Sequence, residues 1–210
     1  MKIIFLDFDG VMDTAYYDHI LSRDGLPGND SFGTVFDPNC VRNLAEIIEK
    51  TGADIVVSSS WRMQTVEETR KSMIYKEKRC PRNKMLYWLM DNLYDVTPWV
   101  GLGNGRGGEI QQYLNDHPEI DNYVIIDDDG DMWDSQLYHF VQTNYEDGIT
   151  ETEAIRAIKV LNKKWFQNPM ALNFELRFQH LLKCHNLPNK KDELLQYNDL
   201  TDDFHNRYEN

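Results

Sequence analysis

The clearest pattern in the chain is a series of short apolar runs, each followed by polar residues. Residues 2–7, 53–57 and 123–126 predict strands that are buried on both faces of a parallel sheet, and residues 140–143 predict a shorter fourth strand. These runs are far shorter than the roughly 20 apolar residues that a membrane-spanning helix needs. The first run meets acidic residues directly, without the features of a signal peptide, so we interpret it as a buried strand.

Between these runs, apolar residues recur at helical spacing. The pattern predicts a helix over residues 38–50, with Pro38 in its first turn and Gly52 at its end. A second helix is predicted over residues 150–165, with Thr150 as its cap. Weaker helical patterns lie at residues 66–75, 83–93 and 108–115. Strands alternating with helices predict an α/β fold, a Rossmann-like three-layer sandwich around a mostly parallel sheet.

The composition also varies along the chain. Residues 12–37 are rich in glycine and other turn-forming residues, and predict a long loop with little regular structure. Beyond residue 165, asparagine, glutamine and charged residues dominate. We therefore expect a domain at residues 1–165 and a helical C-terminal extension of unknown role at residues 166–210. Residues 12–37 and 63–100 are candidate lids, and neither has the length of a full cap domain.

Charge and cysteine content narrow the classes of function. The 210-residue chain has a formal net charge of −13, which disfavours non-specific binding to nucleic acid or to an anionic membrane. We interpret a basic cluster within residues 70–84 as a solvated helix face and loop. The three cysteines, Cys40, Cys80 and Cys184, are scattered and lack CxxC spacing. They predict neither a disulfide framework nor a structural zinc site, and a cytoplasmic location fits them best.

Polar clusters end three of the predicted strands, at residues 7–9, 58–60 and 127–129. The carboxyl ends of parallel strands meet at one edge of a sheet, where ligands bind in open α/β folds. We therefore expect all three clusters to line one crevice. Because Asp7 and Asp9 are two residues apart on an extended segment, we expect their side chains to face the same way.

Several carboxylates in one crevice need a cation or shared protons. Two carboxylates about 4 Å apart repel each other by roughly 4 kcal/mol at an effective dielectric of about 20. Oxygen ligands with room for water favour Mg²⁺ over zinc or copper, so we predict a magnesium site formed by Asp7, Asp9, Asp127 and Asp128. Such a site would align a phosphate monoester for attack by a carboxylate. Asp9 is placed to act as the second acid, and Gly10 leaves room for the phosphate.

The segment Phe5-Leu6-Asp7-Phe8-Asp9-Gly10-Val11 resembles the first motif of the haloacid dehalogenase (HAD) superfamily, an apolar strand followed by D-x-D-G-[TV]. This resemblance implies that Asp7 is the nucleophile and forms an aspartyl-phosphate. It implies that Asp9 is the acid and base, with its backbone carbonyl on the metal. The second motif, a Ser or Thr that binds phosphoryl oxygens, is matched by Ser58, with Ser59 as a one-residue alternative.

The remaining motifs of the superfamily are matched further along the chain. The run Ile125-Ile126-Asp127-Asp128 resembles the fourth motif, which completes the metal site, and Asp131 is a candidate outer-shell contact. Arg106 is the best match to the basic residue of the third motif, which holds phosphate and nucleophile together. We also expect Arg62 to contact substrate, because it follows the serines.

A narrower resemblance comes from the segments at residues 58–62, 106–110 and 148–150. Together they are similar to the HAD branch named for Swiss Army Knife RNA-repair proteins, over residues 1 to about 165. The resemblance implies a Mg²⁺-dependent phosphatase acting on phosphate monoesters. Nucleic-acid ends, which suit an open site, and nucleotides or other small molecules are candidate substrates.

Two alternatives of a different class stay open. One is a non-catalytic phosphate-binding module, and the other is a phospho-accepting receiver-like domain. In receivers the acid pair ends the first strand and the phosphorylated Asp follows a later one, so the D-x-D-G order favours the hydrolase. Residues 103–108 formally fit G-x-G-x-x-G. We reject a dinucleotide site there, because no convincing strand precedes them.

Overall fold

A computed structural model describes residues 1–30, 33–77, 89, 91–101 and 105–163 of the chain. Within these residues, five strands form a parallel sheet in the order β5-β4-β1-β6-β7, and two shorter strands form an antiparallel hairpin. In chain order the strands are β1 (Lys2–Leu6), β2 (Asn29–Asp30), β3 (Gly33–Thr34), β4 (Asp54–Val57), β5 (Leu93–Val96), β6 (Asn122–Asp127) and β7 (Phe140–Gln142).

Helices cover both faces of the sheet. They are α1 (Ala15–Arg23), α2 (Pro38–Thr51), α3 (Val66–Glu77), α4 (Gly105–Asp116) and α5 (Glu151–Asn162), with a 3₁₀ helix at Asp134–His139. Capping defines the ends of α2: the Asp37 carboxylate accepts a hydrogen bond from the Asn39 N–H, and Gly52 adopts the left-handed conformation, with φ of 65°. The Thr150 hydroxyl accepts from the Thr152 N–H and caps α5.

The core has two layers because side chains alternate along the central strand. Ile4 and Leu6 of β1 point to one face, where they join buried residues of α2 and α5 such as Leu44 and Leu161. On the other face, a second cluster packs β1 and its neighbours against α4, and consists of Ile3, Phe5, Val56, Ile110, Tyr113, Ile125 and Met132. The predicted fold class, a three-layer α/β sandwich with a parallel sheet, is confirmed.

Strand register brings the ends of three strands to one level. Leu6 of β1 pairs with Val57 of β4 on one side and with Ile126 of β6 on the other. The ladders continue one step beyond β1 and β4: the Asp7 N–H donates to the Ile126 carbonyl at 3.0 Å, and the Ser58 N–H donates to the Leu6 carbonyl at 2.8 Å. Three residues therefore lie side by side: Asp7 after β1, Ser58 after β4 and Asp127 at the end of β6.

Two sequence predictions about secondary structure were wrong. Residues 12–37 contain a helix, α1, and the β2–β3 hairpin. Helix α1 is capped by the Thr14 hydroxyl and buries little apolar surface. Its sequence therefore lacks the strong hydrophobic stripe by which a helix is predicted. Strand β5 was also missed, because its four residues include Asp95 and the exposed Tyr94. Helix α4 begins at Gly105, earlier than the predicted position 108.

Some predictions fall on residues outside the described ranges. These include most of the helix at residues 83–93, most of the basic cluster at residues 70–84, and the C-terminal extension at residues 166–210. The domain boundary at residue 165 stays a prediction. Cys40 is a buried free thiol. Among the helices that the structure describes, none has the length and apolar character needed to span a bilayer.

Candidate active site

The side chains of Asp7, Ser58 and Asp127 share one face of the sheet at its carboxyl edge. Each follows the alternation of its strand, on the side that carries Phe5 and Val56. All three residues are at most 6% exposed. Helix α4 packs against the same face and brings its first turn over the strand ends, so the fold places carboxylates, a hydroxyl and a helix N-terminus together.

Arg106, in the first turn of α4, lies between the acids of the two central strands. Its Nη2 atom is 3.4 Å from Oδ1 of Asp7, and its Nε atom is 3.3 Å from Oδ2 of Asp127. The Arg106 N–H donates to the Asp131 carboxylate at 2.9 Å, which ties the start of the helix to the loop after β6. The basic residue is therefore close to the predicted nucleophile and to one predicted metal ligand.

Asp7, Asp127 and Asp128 form what we call the acid cluster. One carboxylate oxygen from each residue lies within 4.8 Å of the other two. Hard oxygen donors at this separation suit Mg²⁺, which takes oxygens at about 2.0–2.1 Å and retains several waters. The residues present therefore fit the predicted cation, and three of the four predicted metal ligands are brought together.

Burial governs the electrostatics of the acid cluster. It raises the pKa of Asp7 to about 6, although Arg106 and a hydrogen bond from the Ser59 hydroxyl lower it. Burial, reinforced by the charge of Asp7, raises the pKa of Asp127 to about 8, and burial also raises the pKa of Asp128. Arg106 does not offset the cost of ionising all three acids, and a divalent cation would supply the missing positive charge.

Asp9 does not join the acid cluster with its side chain. Both of its carboxylate oxygens lie 2.9 Å from Nε1 of Trp61, and one is 3.4 Å from the Ser60 hydroxyl. The prediction that Asp7 and Asp9 face the same way assumed that the strand continues, but β1 ends at Leu6. The chain then turns: the N–H groups of residues 11–13 all donate to the Phe8 carbonyl. The implied role of the Asp9 backbone carbonyl stays a prediction.

Gly10 permits this turn. It has φ of 68°, and a Cβ atom at this position would lie 2.5 Å from Oδ2 of Asp128. The Gly10 N–H donates to Asp13 at 2.8 Å, and its carbonyl accepts from the Thr143 hydroxyl at 2.9 Å. Gly10 thus lets the backbone pass close to an acid of the cluster, and Asp13 and Thr143 hold the turn.

The two candidate serines differ in their contacts. The Ser58 hydroxyl is buried and has no hydrogen-bond partner among the described residues. The Ser59 hydroxyl donates to Asp7 and accepts from the Trp61 N–H at 3.3 Å. A buried hydroxyl without a partner is costly and points to a ligand that completes it. Ser58 is therefore available to a phosphoryl oxygen, whereas Ser59 already orients Asp7.

Arg62 does not occupy the position that we expected for a substrate contact. Its side chain is 0% exposed, and Nη2 forms a 2.7 Å ion pair with Glu109 of α4. Nε donates to the Thr97 carbonyl at 2.9 Å, and Nη1 donates to the Ser59 carbonyl at 2.7 Å. All of these donors bind groups of the protein itself, because the side chain is buried beneath the loops that follow β4 and β5.

Glu109, Thr143 and the Trp61 side chain also contact the site, and no role for them was predicted from the sequence. Glu109 lies one helical turn after Arg106, a spacing that places both on one side of α4. Thr143 directly follows β7 and could have been found by the strand-end rule that identified the other clusters. The Trp61 contact with Asp9 depends on how the loop after β4 folds, and no spacing in the sequence indicates it.

Strand β5 does precede residues 103–108, so the prediction that no strand lies before this segment was wrong. The contacts of Arg106 nevertheless disfavour a dinucleotide site here. The Asp131 carboxylate accepts from the Arg106 N–H at the start of α4, where a pyrophosphate would otherwise bind. The Arg106 side chain is turned towards Asp7 and Asp127.

A parallel sheet with a cluster of acids at the ends of its central strands defines an α/β protein with a polar site at the strand ends. Residues 3–154 match a family model described as the HAD domain in Swiss Army Knife RNA repair proteins, and the chain belongs to this family. The resemblance identified from the sequence motifs is thereby confirmed. Neither a curated protein nor a solved structure matched the chain.

Proposed function

We propose that this protein is a Mg²⁺-dependent phosphatase that hydrolyses a phosphate monoester through an aspartyl-phosphate on Asp7. The observation that carries the proposal is the position of Asp7, buried at the end of the central strand between Arg106 and two further acids. Membership of a HAD family supports a hydrolase. A cytoplasmic location is part of the same hypothesis.

The chemistry requires two displacements at phosphorus. A carboxylate oxygen of Asp7 attacks the phosphorus, the bond to the leaving alcohol oxygen breaks, and Asp9 gives that oxygen a proton. A water molecule then loses a proton to Asp9 and attacks the phosphorus of the aspartyl-phosphate. This second step releases inorganic phosphate and regenerates Asp7.

The other residues bind and orient the phosphoryl group. Arg106 and the Ser58 hydroxyl would donate hydrogen bonds to its oxygens, while Ser59 holds Asp7 in place. Mg²⁺ bound by Asp7, Asp127 and Asp128 would reduce the repulsion between the attacking carboxylate and the anionic substrate. Glu109 pairs with both Arg62 and Arg106, and Arg62 donates to the Ser59 carbonyl. These two residues therefore hold Arg106 and the loop after β4 in place, and we assign them no contact with substrate.

Nucleic-acid ends are the substrate class that the family description favours, since the family is named for RNA repair proteins. A phosphate at a chain end is a monoester, the bond type that an Asp nucleophile cleaves in this mechanism. Small sugar phosphates and nucleotides carry the same bond and are the alternatives to be compared directly.

The test is phosphate release by the full chain from 3′- and 5′-phosphorylated oligonucleotides, nucleotides, sugar phosphates and an aryl phosphate, with Mg²⁺ or with EDTA. We expect turnover that requires Mg²⁺ and is fastest on the oligonucleotides. Asp7→Asn should lower it by at least about 10³-fold, because the nucleophile is lost. Asp54→Asn, at the opposite end of the sheet, should keep full activity.

Two results would contradict the proposal. If no phosphate monoester is hydrolysed in the presence of Mg²⁺, the phosphatase proposal is wrong, and the binding module and the receiver-like domain are the two alternatives left. If Asp7→Asn is folded and retains activity, Asp7 is not the nucleophile. Faster turnover of small phosphates than of oligonucleotides would remove the nucleic-acid assignment alone.

A further inference from the structure

Asp9 is held by the indole of Trp61. The Nε1–H group of Trp61 lies 2.9 Å from both carboxylate oxygens of Asp9, so a single donor is shared between them. Among the described residues, the Ser60 hydroxyl also donates to this carboxylate, but that hydrogen bond is long, at 3.4 Å. The orientation of Asp9 therefore depends mainly on where the indole ring is fixed.

The ring of Trp61 is fixed by the hydrophobic core. It stacks on Phe36 with centroids 5.7 Å apart and an interplanar angle of 25°, and it meets Phe8 edge to face at 5.7 Å. Phe8 and Phe36 contact each other and are almost completely buried. Phe8 also lies between Asp7 and Asp9 in sequence, so the same core contact anchors both the indole and the segment that carries the two acids.

We propose that Trp61 is the positioning residue for Asp9, the acid and base of the reaction proposed above, on which this inference rests. The contact keeps the Asp9 carboxylate apart from the acid cluster. A carboxylate within the cluster would instead bind the cation. A carboxyl group that stays outside the cluster is available to exchange a proton with the leaving oxygen and with water. Trp61 touches neither substrate nor the reacting atoms, and acts through Asp9.

This role predicts a dependence on the leaving group. In the first displacement the proton of Asp9 moves to the leaving oxygen as its bond to phosphorus breaks. An alkyl oxygen needs that proton, whereas a nitrophenolate is stable as an anion and leaves without it. The ratio kcat/KM covers the steps up to departure of the leaving group, so loss of Asp9 orientation should lower kcat/KM for alkyl phosphates far more than for aryl phosphates.

The experiment compares Trp61→Phe, which keeps an aromatic ring and removes the N–H, with the wild-type protein on an alkyl phosphate and on p-nitrophenyl phosphate. We expect kcat/KM to fall by about 10- to 100-fold on the alkyl substrate and by less than about 3-fold on the aryl substrate, within the range of general acid catalysis. Trp133→Phe, an indole removed at an exposed position, is the matched control and should change neither value.

The double variant Trp61→Phe with Asp9→Asn gives an independent readout. If Trp61 acts through Asp9, the double variant should be no slower on the alkyl substrate than Asp9→Asn alone. Trp61→Tyr supplies the same comparison if circular dichroism shows that Trp61→Phe does not fold.

Equal losses on both substrates, no loss on either, or additive losses in the double variant would overturn the positioning role. Any of these results would leave the phosphatase proposal intact. A wild-type protein that hydrolyses neither substrate nor any other monoester would remove the proposed function and this inference together.

Discussion

At the scale of single residues, Gly10 shows how closely the site is built against the backbone. Its left-handed conformation turns the chain away from β1, and the Asp128 carboxylate lies where a side chain at position 10 would be. Strain and crowding can be separated here, because Gly52 has nearly the same φ, 65°, but would have no atom within 4 Å of an added Cβ.

Gly10→Ala should therefore be more harmful than Gly52→Ala. We expect Gly52→Ala to cost about 1–2 kcal/mol of unfolding free energy, the usual penalty for a left-handed alanine. Gly10→Ala should cost more, and it should also weaken Mg²⁺ binding because Asp128 must move. Urea unfolding and Mg²⁺ titration of both variants measure the two effects. Equal destabilisation, with Mg²⁺ affinity unchanged, would show that Asp128 yields without consequence.

Single residues were predictable where the strand pattern alone places them. Asp7, Ser58 and Asp127 follow or end buried apolar runs, and strand register brings them together. The direction of the Asp9 side chain was not predictable, because it depends on a turn stabilised by Gly10 and Thr143. The choice between Ser58 and Ser59 likewise required the side-chain contacts, which the order of residues does not contain.

At the scale of elements, Arg62 and Glu109 connect three parts of the fold. Arg62 binds carbonyl oxygens in the loops after β4 and β5, and its Nη2 pairs with Glu109 of α4. Burial lowers the pKa of the Arg62 guanidinium, and Glu109 opposes that shift. The pair therefore holds α4, and with it Arg106, over the strand ends.

Glu109→Gln should be strongly destabilising, because it leaves the buried Arg62 charge without its partner. We expect a loss of roughly 3 kcal/mol of unfolding free energy, typical of a broken buried ion pair. Glu46→Gln is the matched control: its partner Lys50 is exposed on α2, and the cost should be below about 0.5 kcal/mol. Chemical denaturation of both variants checks this. Similar small losses would mean that Arg62 finds solvent or another acceptor.

Elements were predictable where local signals and burial agree. Helices α2 and α5 have both a cap and an apolar stripe, and their ends lie within a few residues of the prediction. Helix α1 and strand β5 lack that agreement. Both depend on contacts with the rest of the fold, and such contacts leave no regular pattern in a nine-residue helix or a four-residue strand.

At the scale of the whole molecule, the acid cluster couples stability to pH. The pKa of Asp7 is about 6 and that of Asp127 about 8, both above the ordinary value of 3.8, so the metal-free fold binds these protons more tightly than the unfolded chain. Their contribution to stability is complete below the unfolded pKa and is lost as pH rises through about 6 and about 8.

The increase in Tm caused by Mg²⁺ should therefore grow from about pH 5 to about pH 8. In the proposed site the ion would bind the deprotonated acids, so protons would compete with it at low pH, and repulsion between the acids would make it more stabilising at high pH. Thermal unfolding with EDTA and with saturating Mg²⁺ across this range measures the effect. Asp127→Asn should flatten it. An increase in Tm that does not vary with pH would place the ion away from these carboxylates.

Strand β1 has hydrogen-bonded neighbours on both sides, and neither is close to it along the chain. Lys2 pairs with Asn122, so β1 leaves the ribosome long before β6 has been synthesised. Pairing across such a separation slows folding, and the apolar edge of β1 stays open to other chains meanwhile. A nascent chain that stops before β6 therefore exposes an aggregation-prone strand edge. It also lacks Asp127 and Asp128, the other two members of the acid cluster.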